Sequence, residues 1–284
     1  MTILVLGASS QIGRCLLPRL HAAGHDVLAV SRQAHEVGEA GERMRWIVGR
    51  LPDAMPAELP ALTGIVSYGP LLPFAQWLDR ASFAGTPRIV ATSSMSAQTK
   101  RDSEVPAERA IAQTLRDGEA ALAEACHRRG LRWNVLRPTL VYGAGLDRSL
   151  TPIARRAARL RVFPLPAGRG LRQPVHADDV AQASVAALRH DAPSGHVLAI
   201  GGGERLSAAA MFARVRASLP VATLPLPIPR VLLPLGQRLA PSLRGPLARL
   251  EQDLVADNAE LIGLLGVEPR PFHPDARCWG MAAR

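Results

Sequence analysis

The chain has 284 residues, 48% of them hydrophobic, and a formal net charge of +10. That length suits one large α/β domain or a domain with a small lobe, and no apolar run approaches the roughly 18 residues of a membrane span. Aromatic residues make up only 4% and the basic ones are spread along the chain, which argues against a nucleic-acid partner despite the charge.

In chain order, "TILVL" (2–6) is a short β-branched run that stops at a glycine, as a buried parallel strand does. Residues 10–23 have helical spacing, with Ile12, Leu16, Leu17 and Leu20 on one side. Pro18 falls inside that helix, where proline costs about 3 kcal/mol, and predicts a kink. Further strands are expected at 27–31, 45–49, 64–67, 88–93 and 132–138, with helices at 72–84 and 107–129. Strands alternating with helices predict a parallel sheet with helices on both faces. Right-handed crossovers then make it doubly wound, the Rossmann arrangement.

The texture changes near residue 150. "PLPAG", "LPLPIPRVLLPLG" and "EPRPFHP" are proline-rich, and helices are expected at 178–190, 207–219 and 246–264. The expected division is a dinucleotide-binding core over 1–150, then 151–284 as returning core elements with a smaller C-terminal substrate lobe. Cys15, Cys126 and Cys278 are far apart and lack metal-ligand spacing. Buried thiols in a reducing, cytoplasmic compartment are therefore expected, and no metal site. The opening "MTILVLGASS" has no basic n-region and no cleavage site, so no signal peptide is expected.

"VLGASSQIG" puts Gly7 directly after the first strand and Gly13 in the first turn of the helix. Gly7 permits a tight turn, Gly13 lets helix and strand pack closely, and free N–H groups at the helix start face a pyrophosphate. Ser10 stands where a middle glycine is usual. Its Cβ restricts the approach of the phosphate, and its hydroxyl can donate in return. The expected contacts of this loop are Gly7, Ser9, Ser10, Gln11, Ile12 and Gly13. Strand two ends at Ser31 and Arg32 with no acid to accept from a ribose 2′-OH. Arg32 can pair with a 2′-phosphate, which favours NADP over NAD.

From end to end the chain resembles the extended short-chain dehydrogenase/reductases, the nucleotide-sugar epimerase/dehydratase type. "GASSQIG" resembles the nucleotide loop, "TSSMS" the active-site serine strand, and "LRPTLVYGAG" the strand and turn beside the nicotinamide. "RQPVHADDVAQASVAAL" and "LIGLLGVEPRPF" resemble the substrate-lobe segment and the usual C-terminal ending. The resemblance implies cofactor contacts from Ser67 and Pro138, a nucleotide-sugar or other diphosphate substrate, and a possible homodimer through the helix pair 72–84 and 107–129.

The same family uses a tyrosine and, four residues later, a lysine as its acid/base pair. Aligned on "GEAAL", those places hold Ile111 and Leu115, and no Tyr-x-x-x-Lys occurs anywhere in the chain. Three replacements present themselves. Ser93 can hydrogen-bond a substrate hydroxyl or carbonyl. Lys100 is the one lysine among 34 basic side chains, the rest being arginine, and an amine can be made titratable where a guanidinium cannot. Tyr142 can serve as a displaced proton donor. His176 is set aside as a lobe-interface residue, and Asp178 and Asp179 are expected to cap the helix that follows. Between Arg148 and Ala177 there are seven arginines and no acid, either a solvated basic face or an anion site for a diphosphate. Two functions follow: an NADP-dependent oxidoreductase or epimerase with a non-standard proton donor, or a cofactor-binding sensor or assembly module without turnover. A third reading, contact of the segment Leu224–Leu250 with anionic lipid, is opposed by its helix-breaking prolines.

Overall fold

A computed structural model describes residues 1–33, 43–229 and 249–282. Its largest element is a seven-stranded sheet of β1 (Thr2–Leu6), β2 (Asp26–Ser31), β3 (Met44–Val48), β4 (Gly64–Ser67), β5 (Arg88–Thr92), β6 (Trp133–Pro138) and β11 (His196–Ile200). The order is β11-β6-β5-β4-β1-β2-β3, and every pairing is parallel. The sheet is thus the doubly wound Rossmann arrangement, with its order reversing beside β1. Flanking helices are α1 (Gln11–Ala22), α2 (Leu71–Arg80), α3 (Ser96–Thr99) and α4 (Pro106–Arg128). Residues Met1–Pro138, Asp178–Ile200 and Asp257–Glu268 make up one unit. Its core joins Leu4 and Leu6 of β1 to Phe74 and Leu78 of α2 and to Leu122 and Cys126 of α4. Each such side chain contributes about 1.5–3 kcal/mol by leaving water.

The second unit comprises Thr139–Ala177, Gly201–Ala256 and Pro269–Arg284. It contains β7 (Val141–Tyr142) against β10 (Val175–His176), β8 (Val162–Pro166) against β13 (Leu224–Ile228), and β9 (Leu171–Arg172) against β12 (Leu206–Ser207). Among the described residues it also has helices α5 (Leu150–Leu160) and α7 (Ala208–Ala217), around a core of Tyr142, Phe163, Phe212, Phe272 and Trp279. Asp147 caps α5: its Oδ1 accepts from the backbone N–H groups of Ser149, Leu150 and Thr151 at 2.9, 2.6 and 3.1 Å.

Helix α6 (Ala177–Leu188) lies where the sequence predicts it, with Asp178 and Asp179 in its first turn, and Asp178 also takes part in a long-range pair. Arg19 of α1 donates to its carboxylate from Nε and Nη2 at 2.6 and 2.7 Å, a bidentate latch across 159 residues. The helix expected over 246–264 is different. Residues 246–248 lie outside the described residues, Arg249–Glu251 is a single 3-10 turn, and α8 covers only Ala259–Leu265. Tertiary contacts hold the stretch between them extended. Asp253 accepts from the Leu171 N–H at 2.7 Å, and Leu254 bridges to Arg172. The helix expected over 72–84 stops at Arg80, because Ala81 turns extended.

Candidate functional site

Because all seven strands run parallel, their C-terminal ends form one edge of the sheet. Leu6 pairs with Val30 on one side and Ser67 on the other, so the turn that starts at Gly7 lies between the ends of β2 and β4. Gly7 has φ 74°, a left-handed conformation that glycine adopts without strain, and a Cβ there would press on Tyr68 at 3.3 Å. Ser10 then caps α1 by accepting from the Gly13 N–H at 3.1 Å, while the Ser10 N–H donates to the Gly7 carbonyl at 2.9 Å. A Cβ on Gly13 would collide with the Ala8 carbonyl, so the helix can sit this close only with glycine there. The first turn of α1 carries no acid, and its N–H groups and hydroxyls form a donor set suited to a diphosphate.

The remaining predicted cofactor residues gather on the same edge. The hydroxyls of Ser9 and Ser31 are 3.2 Å apart, and Arg32 is exposed just beyond β2. Ser67 is fully buried, its hydroxyl accepting from the Gly69 N–H at 3.4 Å. Pro138 ends β6, where its carbonyl accepts from the Met95 N–H at 3.0 Å.

Ser93 follows β5 on this edge, its N–H donating to the Leu136 carbonyl at 2.8 Å. Its hydroxyl is buried and has no hydrogen-bond partner among the described residues. A buried hydroxyl without a partner costs about 1–3 kcal/mol, which makes this one a candidate to bond a group outside the described residues. Ser94, by contrast, accepts from the Ser96 N–H at 3.2 Å at the start of α3. Lys100 closes α3 and does not reach into open solvent. Its Nζ is 3.5 Å from Glu108 Oε1, with both side chains only 13% exposed. The Ser103 hydroxyl donates to Glu108 Oε2 at 2.8 Å. Sequence reasoning missed Glu108, although Pro106 followed by an acid two residues on is a helix-start signal that points to it. Ile111 is 46% exposed, and neither it nor Leu115 can exchange a proton.

The two tyrosines lie in different units, Tyr68 half-buried and Tyr142 fully buried. Tyr68 donates to Ser184 Oγ at 3.0 Å, and burial pushes its phenol far above the ordinary tyrosine value. Tyr142 is 1% exposed and packs edge-on against His176 and Phe272, with ring centroids 5.1 and 4.8 Å away. Of the seven arginines from 148 to 172, two serve the backbone. Arg155 donates to the Trp279 and Gly145 carbonyls at 2.8 and 3.0 Å, and Arg172 donates to the Leu171 and Gln252 carbonyls at 2.8 and 2.5 Å.

The model of the NAD dependent epimerase/dehydratase family matches residues 76–201. No curated protein matches the chain in sequence. Among solved structures, MoeE5 in complex with UDP-glucuronic acid and NAD is similar at TM-score 0.73 and 20% identity, over 95% of this chain and 94% of that one. UDP-glucose 4-epimerase of Thermotoga maritima, with UDP-glucose, is similar at 0.69 and 16%, over 98% and 97%. UDP-glucuronic acid 4-epimerase of Bacillus cereus, in complex with UDP-glucuronic acid and NAD, is similar at 0.67 and 16%, over 95% of each chain. At such identities the likeness is one of fold.

Proposed function

We propose that the protein is a pyridine-nucleotide-dependent oxidoreductase of the epimerase/dehydratase kind, acting on a nucleotide sugar or a related diphosphate without the usual phenol. The observation that carries this reading is the buried, unpartnered Ser93 hydroxyl on the strand edge that also holds the Gly7–Gly13 turn. Hydride exchange is what the nucleotide supplies when bound.

The chain's own residues do the rest. The Gly7–Gly13 turn, with Ser9 and Ser10, holds the linked phosphates. Ser31 and Ser67 flank the nucleotide, and Pro138 bounds the far side. Arg32 takes a 2′-phosphate, so NADP is preferred to NAD. Ser93 positions the substrate hydroxyl or carbonyl. Lys100 supplies or accepts the proton, with Glu108 holding its amine in place at 3.5 Å. General acid/base help is worth about 10²–10⁴-fold, so a relocated donor supports turnover at a reduced rate. Tyr142, in this reading, packs.

The test follows NADPH absorbance in stopped flow against a panel of nucleotide sugars. Turnover that falls at least about 10²-fold in both Ser93→Ala and Lys100→Ala, and survives in Tyr142→Phe, is expected. Tight NADPH binding with no absorbance change across the panel favours the second reading, a sensor or assembly module. The apolar Ile111 and Leu115, at the places of the usual acid/base pair, are what recommend that second reading.

A further inference from the structure

The charge of this protein is not shared between its two units. The first holds 17 basic and 19 acidic side chains, the second 17 arginines and five acids. The whole excess of positive charge therefore belongs to the second unit. Within it, Arg148, Arg156, Arg159, Arg161 and Arg169 are exposed, and no acid among the described residues pairs with any of them.

Arg161 adds an independent observation. It ends α5 at φ 61°, the only non-glycine residue among those described with a positive φ. Glycine is the usual solution there, and a side chain in that conformation is held against a backbone cost. The cation sits beside exposed apolar groups. Leu160 precedes it, Val162 follows it, and the Leu224 N–H donates to its carbonyl at 2.8 Å. Val162 pairs with Leu224 and Pro164 with Leu226 across β8 and β13. Leu224 is 70% exposed and Leu226 and Leu160 each 53%, whereas Phe163, on the opposite face, is fully buried. This two-stranded sheet thus presents exposed leucines, with exposed arginines at 156, 159 and 161 on the adjoining helix and at its end.

A second protein strand is a poor occupant. Pro225 and Pro227 remove two N–H donors from β13, which blunts it against edge pairing. Apolar groups that enter the acyl boundary, ringed by cations that meet lipid phosphates, are instead what an anionic bilayer surface accepts. We propose that the face formed by α5, β8 and β13 docks the protein on anionic phospholipid membranes, with Leu160, Leu224 and Leu226 inserting and Arg156, Arg159 and Arg161 holding the headgroups.

The test is co-sedimentation of the full chain with phosphatidylcholine vesicles, with equimolar phosphatidylcholine/phosphatidylglycerol vesicles, and with double-stranded DNA as competitor. Binding to the anionic vesicles only, weakened by salt, is expected. Arg159→Gln with Arg161→Gly should weaken it about 25-fold, since each surface arginine is worth about fivefold. Leu224→Ser should weaken it while leaving its salt dependence unchanged, and circular dichroism checks that each variant is folded. Equal binding to both vesicle types, no loss in folded variants, or complete displacement from the vesicles by DNA would overturn the proposal.

Discussion

The hydroxyl of Ser93 and the carboxylate of Glu119 show opposite ways of treating a buried polar group. Ser93 Oγ has no partner among the described residues, so Ser93→Ala should leave thermal stability unchanged or slightly higher while turnover falls. That combination, read by differential scanning fluorimetry beside a kinetic assay, is what separates a reacting hydroxyl from a structural one. Glu119 of α4 is fully engaged: Arg137 of β6 donates to it from Nε at 2.7 Å and also from Nη2, with little of either side chain exposed. Removing one member strands the other charge, so Glu119→Gln should cost about 3–5 kcal/mol in urea denaturation. Arg32 gives the third prediction at this scale. In Arg32→Ala the NADPH dissociation constant should rise at least about tenfold and that of NADH stay put, as loss of a charge-assisted contact of about 1.5–3 kcal/mol requires.

Elements, taken whole, explain what the sequence allowed to be read and what it hid. Of the seven Rossmann strands, β11 (His196–Ile200), which pairs with β6 far back in the chain, was not legible as a strand. The other six were legible as short apolar runs, for which local pattern suffices. The Gly7–Gly13 turn was legible for the same reason, since its two conformational demands fall within seven residues. The lone lysine stood out by count, but its partner Glu108 did not, because only the fold of α3 back onto the start of α4 brings the two together. The pairing of Asp178 with Arg19 was hidden as well, since Arg19 lies 159 residues away and leaves no local trace. Likewise the stretch before α8 reads as helix and is drawn straight by Arg172 and Leu171.

One element makes a prediction of its own from such long-range bonds. Arg88 at the start of β5 donates to the carbonyls of Ala187, His190 and Pro193 at 3.2, 3.0 and 3.0 Å, and to that of Ala192, so it closes the C-terminal end of α6. Arg88→Met keeps the bulk and abandons those carbonyls. It should cost about 2–4 kcal/mol and raise amide exchange locally over residues 185–193, as hydrogen-exchange mass spectrometry would detect.

At the scale of the molecule, acid should act on two carboxylates of the second unit. The hydrogen bond from Arg214 holds the Glu204 carboxyl below its ordinary value, with the Phe272 N–H assisting. Asp275, despite a burial penalty, is also held low by the Cys278 N–H at 3.1 Å. Depressed carboxylates lend stability above their unfolded pKa and lose it as pH falls through the folded one. The chain segment after Pro269, tied down by both, should therefore loosen below the ordinary carboxylate range, and Glu204→Gln should remove part of that pH dependence. Limited proteolysis across an acid series would show it. If the dinucleotide binds the first unit as proposed, at a hundred times its dissociation constant it should add about 2.7 kcal/mol to the stability of that unit.

The half-buried amine at the end of α3 has a practical corollary. Every other cationic side chain here is a guanidinium, so apart from the α-amino group a reagent that acylates primary amines finds a single target. How fast that target is modified would report how often Glu108 releases it, and whether a bound nucleotide shields it, with no engineered label anywhere in the protein.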